Sequence, residues 1–248
     1  MQFDDELLNR LRQAKRLVFF TGAGTSTESG VPTFRDEQNS LWINFDATRF
    51  ATESGFRANP GQVWQWYAER RQQLQTLSPN PAHRVMAAWQ DKTAGVTVIT
   101  QNIDGFHQQA GSRDVIELHG NITANKCVDF GHVAQMDVNL SDQPPHCQQC
   151  GSLLRPDIVW FGEALPAMSY HLAEQRCFDC EVFVCIGCSM EVYPAASLPF
   201  NAARCGAYLI QINPQATPLD EIADCNLYGK AGEILLQLWQ AVWQEPLP

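Results

Sequence analysis

Basic residues are few in this chain. Lys and Arg number 17 against 27 Asp and Glu, a formal charge of −10 over 248 residues. That balance leaves no positive footprint for a phosphate backbone, and direct nucleic-acid binding is not expected. No run of about 18 apolar residues occurs, so nothing is expected to span a membrane. The opening MQFDDELLNR lacks the basic region and apolar core of a secretory signal. A disulfide framework is also missing. The nine cysteines are an odd number, and several fall in C-x-x-C pairs. Metal binding and reduced thiols suit that pattern and point to the cytosol. Two common nucleotide signatures are absent as well. Thr27 stands where a dehydrogenase fingerprint needs its third glycine, and no acid ends a second strand about 20 residues further on. No Gly-Lys-Ser/Thr ending makes a P-loop.

What is present begins with Leu17-Val18-Phe19-Phe20, an apolar run with the length and β-rich character of a buried strand. It ends in Thr21-Gly22-Ala23-Gly24, where missing side chains let backbone N–H groups approach a ligand such as a phosphate. Gly30 and Pro32 cut short the helical turn that follows, and Phe34-Arg35-Asp36 then sets a ring, a cation and a carboxylate on a loop. A dinucleotide diphosphate site and a plain strand-to-helix turn both fit the glycines alone.

Along the chain, Leu7, Leu8 and Leu11 recur at helical spacing behind Asp4 and Asp5. Residues 38–61 read as loop with short helices. Asn59-Pro60-Gly61 starts a helix running to about Gln75, and Ser78-Pro79-Asn80-Pro81 separates it from the next. Tyr67 and Arg70, three apart, share a face of the first of these helices. A phenol beside a guanidinium can clamp a carboxylate, but the spacing also fits a solvated face, with Glu69, Arg71 and Gln72 around them. Val96–Thr100 is a second buried strand, and Gln101-Asn102-Ile103-Asp104 leaves its carboxyl end, where open parallel sheets bind ligands. Val115–Leu118 is a third strand. His119 lies at its exit beside Gly120, with an ordinary pKa near 6.5 that suits a proton acceptor at neutral pH. Val182–Ile186 and Ala207–Asn213 are further strands, and Asn213 can bond an adenine ribose. From Gly229 a last helix carries Ile234, Leu235, Leu238 and Trp239 as a core stripe.

Between Asn121 and Leu154 the alternation of strands and helices stops. Cys147-Gln148-Gln149-Cys150-Gly151 is a zinc knuckle with Cys127 upstream, while Phe130 stands where a second cysteine would complete another pair. A structural zinc site wants four ligands. Cys127, Cys147 and Cys150 supply three; His132 or His146 could be the fourth, or the metal is bound weakly or lost. Cys177, Cys180 and Cys185 also have metal-like spacing but read as small buried hydrophobes in or near a core strand.

Taken together, these motifs resemble the sirtuins, NAD-dependent protein deacylases, over almost the full length. The string from Leu17 to Asp36 resembles their cofactor loop, with Thr25 in place of the usual aliphatic residue. That resemblance implies cofactor contacts for Gly22, Ala23, Gly24, Thr25, Phe34 and Arg35. It implies further contacts for Gln101, Asn102, Ile103 and Asp104, with Asp104 on the carboxamide and Asn102 on the ribose and reacting water. The Glu-Leu-His-Gly motif implies His119 as general base. Gly187-Cys188-Ser189 stands where sirtuins usually carry Gly-Thr-Ser, so a thiol replaces a hydroxyl near the adenosine, and Ala231 is expected by the adenine. Val159, Phe161, Gly162 and Glu163 would form the edge onto which a substrate peptide adds as a strand, with Val192 on the opposite wall. Tyr67 and Arg70 resemble the Tyr-x-x-Arg of the branch that removes succinyl and malonyl groups.

The expected fold is α/β, a doubly wound parallel Rossmann-like sheet with strands near 17, 96, 115, 182, 207 and 226. Residues 1–37, 80–120 and 155–248 would form it. A helical segment at 38–79 and a small zinc-type cysteine module at 121–154 would interrupt it. The expected function is NAD-dependent deacylation of acyl-lysine proteins or peptides, with a desuccinylase and demalonylase preference and some deacetylase activity. Alternatives are an NAD-dependent mono-ADP-ribosyltransferase and an NAD-binding sensor without turnover.

Overall fold

The computed structural model describes residues 2–32, 46–134 and 143–247. Nine strands occur among them: β1 (Arg16–Thr21), β2 (Gly95–Thr100), β3 (Val115–Glu117), β4 (Gly120–Cys127), β5 (Val133–Ala134), β6 (Leu154–Ile158), β7 (Val182–Ile186), β8 (Tyr208–Asn213) and β9 (Cys225–Tyr228). The α-helices are α1 (Asp5–Gln13), α2 (Ala47–Phe50), α3 (Glu53–Ala58), α4 (Pro60–Gln75), α5 (Pro81–Lys92), α6 (Phe106–Gln109), α7 (Ala167–Asp179), α8 (Leu198–Arg204) and α9 (Ala231–Trp243).

The main sheet has six strands in the order β3-β2-β1-β7-β8-β9, every neighbouring pair parallel. The six apolar runs expected from the sequence are these strands. Being buried on both faces, they read as continuous hydrophobic runs, and β1 and β7 show it, with all of Leu17–Phe20 and Val182–Ile186 buried. One face packs on α1, α5 and α9 through Leu7, Leu11, Trp89, Leu235 and Trp239; the other packs on α7 and α8 through Ala173, Cys177, Leu198 and Ala202. Each large apolar side chain buried there contributes roughly 1.5–3 kcal/mol of transfer free energy. The chain winds outward from β1 to β3 and returns at β7, so the order reverses between β1 and β7. A ligand crevice belongs at the carboxyl edge of that switch point.

A smaller antiparallel sheet, β5-β4-β6, carries the cysteine module. Strand β6 pairs with β4, so the small sheet runs on to Ile158. Helix α4 lies against this sheet. Its buried face is Val63, Trp64, Tyr67 and Arg71. Arg71 is pinned there: Nε donates to the Ile122 carbonyl at 2.6 Å and Nη2 to Asn125 Oδ1 at 2.7 Å, and burial pushes its pKa down to about 10. Among the described residues no helix is long and apolar enough to cross a membrane.

Candidate active site

Strands β1 and β7 end in register, and their exits are pressed together. Gly22 N–H donates to the Ile186 carbonyl at 3.0 Å, and Gly24 N–H donates to the Gly187 carbonyl at 3.0 Å. A Cβ on Gly24 would lie 2.8 Å from Gly187 Cα, and one on Gly187 would lie 2.4 Å from Thr25 N at a φ of +61°. Here glycine is required by backbone-on-backbone contact as well as by any phosphate. The amides of Gly22 and Gly24 are thus committed within the fold, and the half-buried Ala23 lies between them. Thr25 is fully buried, with Oγ1 donating to the Ile186 carbonyl at 3.0 Å; its own carbonyl accepts from Asn80 Nδ2 at 2.7 Å. Its hydroxyl is a structural peg. Beneath Gly22 lies the buried Cys188 thiol, 3.4 Å from the Ile186 carbonyl and 3.5 Å from Gln101 Nε2.

The segment leaving β2 meets this loop through Ser26, which the sequence analysis did not single out. Ser26 Oγ donates to Asp104 Oδ2 at 2.7 Å and accepts from Asn102 Nδ2 at 3.1 Å. His83 Nε2 stands 3.4 Å from the same oxygen. The N-cap of α5 sets that imidazole, because the Asn80 backbone N–H donates to His83 Nδ1, which leaves the proton on Nε2. Asp104 is buried, and desolvation raises its pKa against the bonds from the Phe106 amide and Ser26. Burial pushes His83 down to about 4 and holds its neighbour His107 well below the ordinary value. Ser26 carried no signal apart from its place in the glycine-rich turn, where serine is common for local reasons.

His119 completes the edge from β3. Its Nδ1 lies 2.9 Å from the Gln101 carbonyl, so that nitrogen donates and Nε2 keeps a free lone pair. Burial lowers its pKa, partly offset by this bond, and favours the neutral ring. Gln101 thus touches three parts of the crevice, since its own N–H donates to Thr21 O at 2.9 Å. Ile103 is half-buried, and its carbonyl accepts from Ile122 N–H at 2.9 Å.

Toward the small sheet, Tyr67 is buried and its hydroxyl accepts from Trp160 Nε1 at 3.0 Å. Arg70 is 15% exposed and lies 4.0 Å over the Trp66 ring; Nη1 reaches Glu69 and the Trp66 carbonyl, while the buried Nε has no partner. Spacing alone allowed a solvated face for this pair, but α4 turns Tyr67 into the protein. In the 159–163 segment, the N–H groups of Val159, Phe161 and Glu163 donate to His119, Ala51 and Trp160 carbonyls, and that of Trp160 to Glu163 Oε2. The Glu163 carboxylate pairs with both terminal nitrogens of Arg155, so that side chain shapes the turn. Phe161 and Gly162 are exposed at its tip, and Val192 is 46% exposed.

Of the remaining expected residues, Ser189 is half-buried just past β7, and Asn213 donates through Nδ2 to the Gln215 carbonyl at 2.7 Å. Ala231 is buried at the start of α9, where Gly232 N–H donates to Glu28 Oε2 at 2.6 Å and ties that helix to the glycine-rich loop. Phe34 and Arg35 lie outside the described residues.

In the small sheet, one donor atom each from Cys127, His132, Cys147 and Cys150 all lie within 4.8 Å of one another. His132, not His146, joins the three cysteines; His146 Nδ1 instead lies 2.7 Å from the Gly151 carbonyl. Cys177, Cys180 and Cys185 are buried, and desolvation raises all three pKa values, that of Cys180 to about 12, so they stay protonated thiols.

The parallel sheet, its switch-point crevice and the inserted metal-type module define a Rossmann-like α/β protein of nucleotide-binding class. The family model described as Sir2 family matches residues 22–194. An NAD-dependent protein deacylase of Methylococcus capsulatus is 43% identical, with 98% of each chain covered. Among solved structures, a Sir2 homolog–NAD complex superposes with a TM-score of 0.90 at 39% identity, covering 98% of this chain and 95% of that one. A Sir2–p53 peptide–NAD+ complex gives 0.85 at 32% identity, covering 98% and 100%. The chain belongs to the Sir2 family, and it is an enzyme of sirtuin type.

Proposed function

We propose that this sirtuin-type, NAD-dependent protein deacylase acts preferentially on acidic acyl groups, succinyl and malonyl, carried on the lysines of proteins or peptides. One observation carries the acyl class. Arg70 is a largely buried cation with an unpartnered Nε, and one turn away Tyr67 presents a hydroxyl whose proton has no acceptor among the described residues. A carboxylate fits two such donors, whereas a methyl group would leave Nε unpartnered and the cation with only the exposed Glu69 as counter-charge.

NAD enters as the second substrate and supplies the ribose carbon that receives the acyl oxygen; the products are nicotinamide, free lysine and O-acyl-ADP-ribose. The chain's residues then divide the remaining work. Asp104 accepts from the carboxamide, and Ser26 holds Asp104 and Asn102 in fixed orientation. His119 Nε2 takes a ribose hydroxyl proton while Nδ1–H stays on the Gln101 carbonyl. Asn102 supports the ribose and the reacting water. Ala23 and the loop around it receive the diphosphate. Gln101, Ile103, Gly187, Cys188, Ser189, Asn213 and Ala231 line the rest of the nucleotide. The peptide lies between the Phe161–Gly162 tip and Val192 as an added strand. Orientation and placed charge supply most of the rate.

The Cys127, His132, Cys147 and Cys150 donors suit a structural zinc, because one nitrogen and three sulfurs form the closed four-ligand set that zinc takes. The ion would stiffen the small sheet and perform no chemistry.

The deciding experiment compares acetyl-, malonyl- and succinyl-lysine peptides with NAD, reading nicotinamide release and acyl-ADP-ribose. Faster turnover of the acidic acyl groups is expected. Equal or faster turnover of acetyl-lysine overturns the acyl class. ADP-ribose transferred to protein would favour the transferase alternative, and absence of any turnover the sensor.

A further inference from the structure

A Tyr67 hydroxyl whose direction is fixed in advance donates to a carboxylate without first giving up rotational freedom. Trp160 fixes that direction from the far side. Its indole Nε1–H donates to the Tyr67 oxygen at 3.0 Å in a buried setting, and the two rings lie 6.3 Å apart and tilted at 32°. With one lone pair taken by the indole, the phenol proton is directed away from the indole. Burial raises the phenol well above its ordinary pKa, so the proton is present across the working range of pH.

Trp160 is itself held on three sides. The Arg155 guanidinium stacks 3.4 Å from its ring centroid, the Glu163 carboxylate accepts its backbone N–H at 2.9 Å, and Phe56 packs at 5.5 Å. Arg155 is 3% exposed and is paired to Glu163 through both terminal nitrogens, with a further bond from Nη2 to the Ile158 carbonyl at 2.7 Å. Both terminal nitrogens are thus held, although the buried Nε has no partner, and removing Glu163 would leave the Arg155 charge stranded. The ion pair therefore locks the indole, and the indole orients the phenol.

We propose that Trp160 is a specificity-positioning residue: its indole N–H occupies the acceptor side of the Tyr67 hydroxyl, so that the phenol donates its proton to the carboxylate of an acidic acyl group. This rests on the reading of Tyr67 and Arg70 as an acyl clamp. It adds a residue that touches no substrate, and it explains why a tryptophan rather than another aromatic side chain serves at position 160. Phenylalanine would fill most of the same space and keep the stack on Arg155 but could not donate.

The test is Trp160→Phe, assayed on succinyl- and acetyl-lysine peptides, alone and combined with Tyr67→Phe. W160F is expected to raise KM for the succinyl peptide about tenfold, as loss of one oriented hydrogen bond to a charged group does, while kcat and the acetyl rates stay within about twofold. In the Y67F background the W160F effect on succinyl KM should vanish, because the hydroxyl it orients is gone. Equal losses on both acyl groups, or an effect that adds in full to that of Y67F, overturns the proposal. Arg70→Met separates it from the reading beneath it. If R70M is succinyl-selective and W160F is not, only the role of Trp160 fails; if R70M costs both acyl groups equally, the clamp fails and the role of Trp160 with it. Should W160F not fold, Trp160→Leu, which keeps apolar bulk without a ring N–H, takes its place with the same expected and overturning results.

Discussion

Gly24 and Gly187 touch backbone to backbone: the amide of one donates to the carbonyl of the other at 3.0 Å, and neither has room for a methyl group. The joint fastens the glycine-rich loop to the end of β7. Gly187→Ala is therefore expected to cost about 2–4 kcal/mol of stability, combining a left-handed backbone with a buried clash. It should also weaken NAD binding. Urea unfolding and calorimetric titration with NAD check both, and a stable variant with native affinity would show that the loop is not fastened here.

His119 is pushed below its ordinary pKa by burial, so the neutral ring that can accept a proton persists to mildly acidic pH. The acid limb of kcat/KM is expected to fall at an apparent pKa below 6.5, and His119→Ala should lower kcat about 10²–10⁴-fold. A profile of nicotinamide release between pH 5 and 8 checks the limb. A limb centred above 7 would assign it to another group.

His83 is buried as the neutral ring, with a pKa of about 4 against 6.5 in the unfolded chain. Between those values the unfolded state binds a proton that the folded state refuses. Its contribution is complete above pH 6.5 and is lost as pH falls toward 4, by on the order of 3 kcal/mol in all. Chemical unfolding from pH 7 to 5 should show stability falling with pH, and His83→Asn should flatten that slope.

Removing metal tests the four-donor cluster. His132→Ala is expected to reduce bound zinc and lower the midpoint of thermal unfolding, and His146→Ala to leave both nearly unchanged. Metal content by emission spectroscopy distinguishes them, and the reverse order would reassign the fourth ligand.

Arg70→Met should lower kcat/KM for succinyl peptides about 10–100-fold, the loss of a charge-assisted hydrogen bond. Acetyl peptides should change by no more than about threefold on the same scale. Paired progress curves on the two peptides give the ratio directly.

The six main strands were legible because strands buried on both faces leave unbroken apolar runs such as Val182–Ile186. Helix α4 was legible from Asn59 and Pro60 at its start. The small sheet was not. Strand β4, reading Gly-Asn-Ile-Thr-Ala-Asn-Lys-Cys, is mostly polar and irregular in its pairing, and β6 contains Pro156, which an edge strand tolerates and a central one does not. The motifs at the carboxyl edge of the main sheet were legible as residues but not as partners. Nothing in the spacing shows that Ser26 joins Asn102 to Asp104, or that Thr25 turns inward. Tyr67 was ambiguous because the small sheet, distant in sequence, decides which side of α4 is dry. His132 and His146 were equivalent until the hairpin brought one of them to the three thiols.

The guanidinium of Arg71 binds helix α4, which carries Tyr67 and Arg70, to β4, the strand that ends at Cys127. Helix and cysteine hairpin are thereby one mechanical unit, hung from the nucleotide sheet rather than built into it. A disturbance at the cysteine hairpin would therefore reach Tyr67 and Arg70 through this guanidinium, with the six-stranded sheet left out of the path.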